Sequence, residues 1–329
     1  MKIAFFNTKQ YDQEYFDLAN QLGEHDIHYF TSQLNVDSCS LITDEKVVCA
    51  FINDNLNAEV LQQLKDRGVE LIALRSAGFN HVDIPCAKKL NLPIVRVPTY
   101  SPYAVAEHAV GLLLCLNRGI HRAYNRVREG DFSLRNLMGF DLHGKTVGVI
   151  GTGKIGQCFV NIMQGFGCKV IAYDVEPNLI CLQSGVEYLP LDDLLAKVDI
   201  LSLHCPLTID TFHLINQQAL DKMRRGVTII NTSRGKLVDT RAVINALKTG
   251  KVGLLGLDVY ELEEDLFFND LSAEGIPDDL LARLTTFPNV IITSHQGFFT
   301  HEAMTNIAQT TLSNIKKFET DGCIPSGLV

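Results

Sequence analysis

The chain has 329 residues, 46% of them hydrophobic and 20% charged, enough for two globular domains in which about 75% of the unfolded surface is buried. A net charge of −9 argues against a nucleic-acid or anionic-membrane partner, but a small anionic substrate needs only a local positive site. The nine cysteines are scattered, odd in number and include no C-x-x-C pair, so no disulfide framework or metal site is expected, and a reducing cytoplasm fits best.

The opening run Met1-Lys2-Ile3-Ala4-Phe5-Phe6-Asn7 is too short for a signal peptide, and the longest later apolar run, at 112–116, is far short of a membrane span. A soluble protein is expected. Over the first hundred residues, apolar runs at 3–6, 27–30, 47–51, 71–74 and 94–97 alternate with amphipathic segments such as 59–67. That alternation predicts about five parallel strands. The first βα turn, Asn7-Thr8-Lys9-Gln10, has no glycine fingerprint, which leaves this domain free to hold something other than a dinucleotide. From Ser101-Pro102 one helical segment is expected to reach about Glu129, with Ser101 as N-cap, Pro102 at the first helical position and Gly130-Asp131 as its stop.

A strand-like run, Thr146-Val147-Gly148-Val149-Ile150, then leads into Gly151-Thr152-Gly153-Lys154-Ile155-Gly156, a helix-like run follows, and a second strand ends at Asp174. Strand, G-x-G-x-x-G turn, helix, strand and acid together make a dinucleotide-binding unit. The first glycine permits the tight turn, the second lets a pyrophosphate approach the backbone, and the third lets helix pack on strand. The helix N-terminus offers N–H groups and a positive dipole end to the phosphates. Asp174 can accept hydrogen bonds from the adenosine ribose, which selects NAD. A 2′-phosphate about 4 Å from that carboxylate would cost about 4 kcal/mol at an effective dielectric near 20, and neither Val175 nor Glu176 supplies a cation.

Further strands are predicted near Val170, Ile200, Thr228, Leu254 and Val290, giving a second α/β domain over about 101–297. An amphipathic helix at 302–318 follows it. Ligands of a doubly wound sheet sit beyond the carboxyl ends of the strands, and three such ends carry chemistry. In Asn231-Thr232-Ser233-Arg234-Gly235 a guanidinium can offer paired donors to a carboxylate or carbonyl. The acidic loop 258–265 can supply a carboxylate that orients a histidine. Ile292-Thr293-Ser294-His295-Gln296-Gly297 places a histidine at a strand end, a candidate acid or base. Arginine, carboxylate and histidine form a set suited to reducing a 2-keto acid with NADH: Arg234 stabilises charge on the carbonyl oxygen and His295 delivers the proton.

With Leu203-His204-Cys205-Pro206-Leu207-Thr208 as a further motif, five motifs in order resemble the D-isomer-specific 2-hydroxyacid dehydrogenase family over nearly the whole chain, and its fermentative D-lactate branch above all. The resemblance implies two doubly wound parallel-sheet α/β domains. An NAD-binding Rossmann domain, 101–297, is inserted into a flavodoxin-like substrate domain, 1–100 plus 298–329, with the substrate cleft and a closing hinge between them. It implies Arg234, Glu263 and His295 as the catalytic set and makes Glu261 and Glu264 bystanders. For NAD it implies Gly151, Gly153, Lys154, Ile155, Gly156, Asp174, Cys205, Pro206, Thr211, Thr232, Ser233, Arg234 and Asp258. Thr211 departs from the asparagine common in the family, although its hydroxyl can still make one bond. Cys205 reads as a buried hydrophobe. For the substrate, the backbone of Ser76-Ala77-Gly78 would bind the carboxylate. Tyr100, Phe51 and Phe298 or Phe299 would line the pocket with Arg234 and His295, and Phe51 as a large wall favours pyruvate. No metal, nucleic-acid or membrane partner is implied, and a homodimer through the cofactor domain, or a tetramer, is. A broader reductase of hydroxypyruvate or branched 2-keto acids is the nearest alternative. NAD-sensing corepressors, which share the fold and the catalytic-like set, are the remote one.

Overall fold

A computed structural model describes residues 1–264, 266–322 and 327. The chain divides into two compact units, Met1–Ser101 with Phe299–Val329, and Pro102–Phe298. Each boundary falls one residue later than the sequence places it, so Phe298 belongs to the second unit and Phe299 to the first.

In the first unit, β1 (Lys2–Phe5), β2 (Asp26–Tyr29), β3 (Val47–Ala50), β4 (Leu71–Leu74) and β5 (Ile94–Arg96) form one parallel sheet in the order β2-β1-β3-β4-β5. This is the doubly wound order in which direction reverses beside β1. β3 and β4 are buried along their whole length, and the edge strand β2 is half-exposed, which is why the central strands read as unbroken apolar runs. α1 (Gln10–Ala19), α2 (Ala58–Asp66), α3 (Ile84–Lys89) and the last helix, α12 (His301–Asp321), cover this sheet. Asn57 and Thr300 cap α2 and α12 by accepting from Val60 N and Ala303 N.

The second unit opens with α4 (Pro102–Arg118) and α5 (Ile120–Arg128). The single helix expected here is broken, because Gly119 takes a left-handed conformation, φ +57°, and resets the helix direction. Seven parallel strands follow: β6 (Thr146–Ile150), β7 (Lys169–Tyr173), β8 (Glu187–Tyr188), β9 (Ile200–Leu203), β10 (Val227–Asn231), β11 (Val252–Leu257) and β12 (Val290–Ile292). Their order is β12-β11-β10-β9-β6-β7-β8, with the reversal between β6 and β9. β8 is two residues long, too short to leave a pattern in the sequence. α6 (Lys154–Gly165) links β6 to β7, α7 (Leu179–Gln183), α8 (Leu191–Lys197) and α9 (Gln217–Lys222) precede β8, β9 and β10, and α10 (Thr240–Thr249) and α11 (Asp279–Thr285) precede β11 and β12.

Register decides what converges. Ile150 pairs with Leu203, Leu203 with Asn231, Asn231 with Leu257 and Leu257 with Ile292. The residues that follow these partners, Gly151, His204, Thr232, Asp258 and Thr293, therefore emerge along one edge of the sheet. In the first unit Phe5 pairs with Cys49, and Ala50 with Leu74, which brings Asn7, Phe51 and Arg75 to one edge in the same way. No described helix is long and apolar enough to cross a membrane.

Candidate active site

The glycine turn has the three-part division of labour that its sequence implies. Gly151 sits at φ +90°, and a Cβ there would lie 2.5 Å from Cys205 N. A Cβ on Gly156 would lie 2.0 Å from the Gly151 carbonyl oxygen, so strand and helix touch backbone to backbone. Gly153 is different: it is the N-cap of α6, has no capping side chain, and nothing lies within 4 Å of its Cβ position. The N-terminus of α6 is thus left open to an anion.

Asp174 directly follows β7, and one of its oxygens is already engaged. Oδ2 accepts from Thr152 N at 2.6 Å and from Thr152 Oγ1 at 3.0 Å, while Oδ1 receives only a long bond from Glu176 N at 3.4 Å. The carboxylate holds the turn with one oxygen and leaves the other with only that long bond. Beyond β9, Cys205 is buried and its thiol is pushed up to about 11 by burial, an inert hydrophobe. Pro206 is exposed; its carbonyl accepts from Thr211 Oγ1 at 2.8 Å, and Thr211 Oγ1 in turn accepts from Thr208 N at 2.7 Å. Thr211 therefore spends its only donor closing its own turn.

Beyond β10, Asn231 pins the next residues, accepting from Ser233 N and donating to the Arg234 carbonyl, and Ser233 Oγ donates to Cys205 O at 2.7 Å. The half-buried Arg234 guanidinium donates to Ser233 O at 2.6 Å. Thr232 is buried, and its hydroxyl has no partner among the described residues.

His295 and Glu263, 32 residues apart, meet in space: Nδ1 and Oε1 are 2.8 Å apart. Glu263 Oε2 accepts from Tyr260 N at 2.8 Å, and Tyr260 Oη donates to Asp278, the N-cap of α11. The carboxylate is thus fixed at both oxygens. His295 lies at φ +53°, a left-handed conformation costly for a residue with a side chain. Its backbone is held by His295 N donating to Asp258 O at 2.7 Å.

Two acids in this loop have uses that the sequence does not reveal. Glu261, taken as a bystander, accepts from Thr240 N and Thr240 Oγ1 and lies 2.6 Å from His213 Nε2, which ties the Glu263 loop to the start of α10. Asp258 is 1% exposed, and its carboxylate accepts from Thr293 Oγ1, Gln296 N and Gly297 N. Burial alone would raise this carboxyl; the His108 and Thr293 hydrogen bonds, His108 charge and the Gly297 amide outweigh it and hold it below the ordinary value. Asp265 lies outside the described residues.

In the first unit, the segment after β4 presents its carbonyls to the protein. Ser76 O accepts from Val97 N, Ala77 O from the Arg96 guanidinium at 2.7 Å, and Gly78 O from Ser76 Oγ at 2.8 Å. The Ala77 and Gly78 amides have no partner among the described residues, an arrangement suited to an anion. Phe51 lies under the buried Arg75, whose guanidinium carbon is 4.9 Å from the ring centroid. Tyr100 O accepts from Asn306 of α12, and Phe299, half-exposed, packs its ring on Tyr11 at 4.7 Å. Phe298 is buried in the second unit.

A dinucleotide fits the second unit on three observations: the uncapped N-terminus at Gly153, the Asp174 oxygen that receives only one long bond, and the orphaned Thr232 hydroxyl. Comparison with known proteins agrees. Residues 110–297 match the model for the NAD-binding domain of D-isomer specific 2-hydroxyacid dehydrogenases. A 2-hydroxyacid dehydrogenase homolog of Haemophilus influenzae is 51% identical, covering 97% of this chain and 96% of its own. The D-lactate dehydrogenase of Escherichia coli is 49% identical over the full length of both chains. The apo structure of D-lactate dehydrogenase from Escherichia coli superposes with a TM-score of 0.91 at 47% sequence identity, covering both chains completely. The chain belongs to the D-isomer specific 2-hydroxyacid dehydrogenase family and is an NAD-dependent oxidoreductase.

Proposed function

We propose that this enzyme is a D-lactate dehydrogenase that reduces pyruvate to D-lactate. The observation that carries the reading is the His295–Glu263 pair on a strained, clamped strand end. NADH, when bound, would supply a hydride for the substrate's carbonyl carbon. Arg234 stabilises the negative charge that develops on the carbonyl oxygen. His295 gives that oxygen its proton: Glu263 engages Nδ1 and leaves Nε2 for the substrate. The Ala77 and Gly78 amides receive the substrate carboxylate, and Phe51, with Tyr100, Phe298 and Phe299, limits the substrate side chain to about a methyl group. NAD is held by Gly151, Gly153, Lys154, Ile155, Gly156, Asp174, Cys205, Pro206, Thr211, Thr232, Ser233, Arg234 and Asp258.

The same reading includes a homodimer, or a tetramer built from it, working in the cytoplasm. It is supported by an exposed apolar surface on and after α5, where Ile120, Tyr124, Val127, Leu134 and Met138 face solvent, and by eight free cysteines among the described residues. Sedimentation with and without NADH tests the assembly; a monomer at micromolar concentration rules it out.

The substrate reading is tested by NADH oxidation with pyruvate, glyoxylate, oxaloacetate, hydroxypyruvate and branched 2-keto acids, with chiral analysis of the product. Pyruvate is expected to be preferred and D-lactate to form. L-lactate, or no preference for pyruvate, overturns it. His295→Gln is expected to lower kcat by about 10²- to 10⁴-fold, and Arg234→Lys to impair both kcat and KM; near-normal rates refute the assigned roles.

A further inference from the structure

His108 on α4 occupies a place that none of the motifs accounts for. Its Nε2 lies 3.2 Å from Asp258 Oδ1 and 3.1 Å from Thr293 Oγ1, while Thr293 Oγ1 donates to Asp258 Oδ1 at 2.5 Å. Thr293 Oγ1 gives its proton to the carboxylate and an ionised carboxylate only accepts, so Nε2 carries a proton that it shares between those two oxygens. The same carboxylate accepts from Gln296 N at 2.9 Å and Gly297 N at 2.8 Å, and the Asp258 carbonyl accepts from His295 N at 2.7 Å. The backbone on both sides of His295 therefore hangs on Asp258, and Asp258 is held from the helix side by His108.

Two further facts show how tightly this arrangement is built. His295 is kept at φ +53°, a conformation that persists only where the surroundings over-determine it. A Cβ on Gly297 would lie 2.9 Å from Asp258 Oδ2 and 3.4 Å from His108 Cδ2, so a residue with no side chain is what lets the three segments meet. Without His108 the carboxylate loses a donor inside a buried site, where an under-satisfied charge is expensive.

We infer that His108 is a positioning residue for the reaction: through Asp258 and Thr293 it fixes the strained backbone of His295 and so aims the imidazole. The inference rests on the reading of His295 as proton donor. His108 itself touches neither substrate nor cofactor in this account.

The experiment compares His108→Leu, His108→Gln, His295→Gln and the double variant His108→Leu/His295→Gln by steady-state kinetics, NADH fluorescence titration and thermal unfolding. His108→Leu is expected to lower kcat by about 10- to 100-fold, the scale of a small misplacement remote from the chemistry, with NADH affinity changed much less than kcat. His108→Gln, whose amide can still donate to Asp258, is expected to recover most of that loss. The double variant is expected to be no slower than His295→Gln alone, because both changes remove one function. Thr293→Val, which deletes only the hydroxyl, is expected to show the same signature if His108→Leu folds poorly. Normal kcat in His108→Leu and Thr293→Val beside a crippled His295→Gln overturns the inference and leaves the proton-donor reading standing. A near-normal His295→Gln overturns that reading and the inference with it. Equal losses in His108→Leu and His108→Gln that follow reduced thermal stability and NADH affinity, or additive losses in the double variant, reduce His108 to a structural role and overturn the inference.

Discussion

The first βα turn of each unit starts from the same topology and ends in opposite chemistry. In the first unit, Asn7 takes φ +53° and Thr8 N, Asn7 N and Lys9 N are bonded to Phe30 O, Ser32 O and the Asp12 carboxylate. The Asn7 carbonyl accepts from Arg75, whose guanidinium also faces buried Asp12 at 3.6 Å. In the second unit, Gly151 turns the chain, Gly153 caps α6 with no side chain, and open space lies beside it. A parallel sheet and a following helix do not make a dinucleotide site. The second unit differs in that the N-cap of its helix is a glycine with no capping side chain.

That contrast can be broken at defined positions. The largest expected effect is on cofactor choice: Asp174→Asn keeps an acceptor for Thr152 N but removes a charge worth about 4 kcal/mol against a 2′-phosphate. The NADPH to NADH ratio of kcat/KM should rise by up to about a thousandfold; an unchanged ratio means that Asp174 serves only the turn. Next is Gly156→Ala, whose Cβ meets the Gly151 carbonyl oxygen at 2.0 Å. It should destabilise the enzyme by about 3 kcal/mol in thermal or urea unfolding and weaken NADH binding with it. Gly153→Ala separates the two: with φ −61° and open space around the Cβ, stability should change by less than about 0.5 kcal/mol while NADH affinity falls by about tenfold. Equal loss of stability in both variants would erase the distinction between packing glycine and ligand-facing glycine. The smallest effect belongs to the first unit. Asn7→Gly relieves the left-handed strain but loses the bond to Asn53, so stability should move by no more than about 1 kcal/mol and NADH affinity not at all.

The readability of the site followed the range of the forces that build it. Glycines, Asp174 and the βα alternation act within a few tens of residues, and each leaves a local pattern. Arg234 and His295 could be nominated because strand ends are where a doubly wound sheet presents ligands. Their partners were harder. Loop acids 258–265 look alike in sequence, and only the family resemblance singled out Glu263; the geometry then gave each described acid a different partner, His295 for Glu263, His213 and Thr240 for Glu261, Lys236 for Glu264. Asp258, read from the resemblance as a cofactor residue, also holds the 293–297 turn through its carboxylate, a second task that the sequence does not reveal. His108 was missed, although an ionisable residue between Ala106 and Ala109 on the buried face of α4 was the available signal.

The sequence by itself determined the two α/β sheets, the cofactor class and the reaction family, because hydrophobic periodicity, glycine geometry and charge type are properties of short segments. Only the tertiary structure decided which carboxylate meets His295, why His295 keeps a strained backbone, where the long helix breaks, and which glycine packs and which stays open. The contacts around His295 depend on strand register, which sets residues 32 to 185 apart within hydrogen-bond distance, and no local pattern encodes a contact made across the sheet.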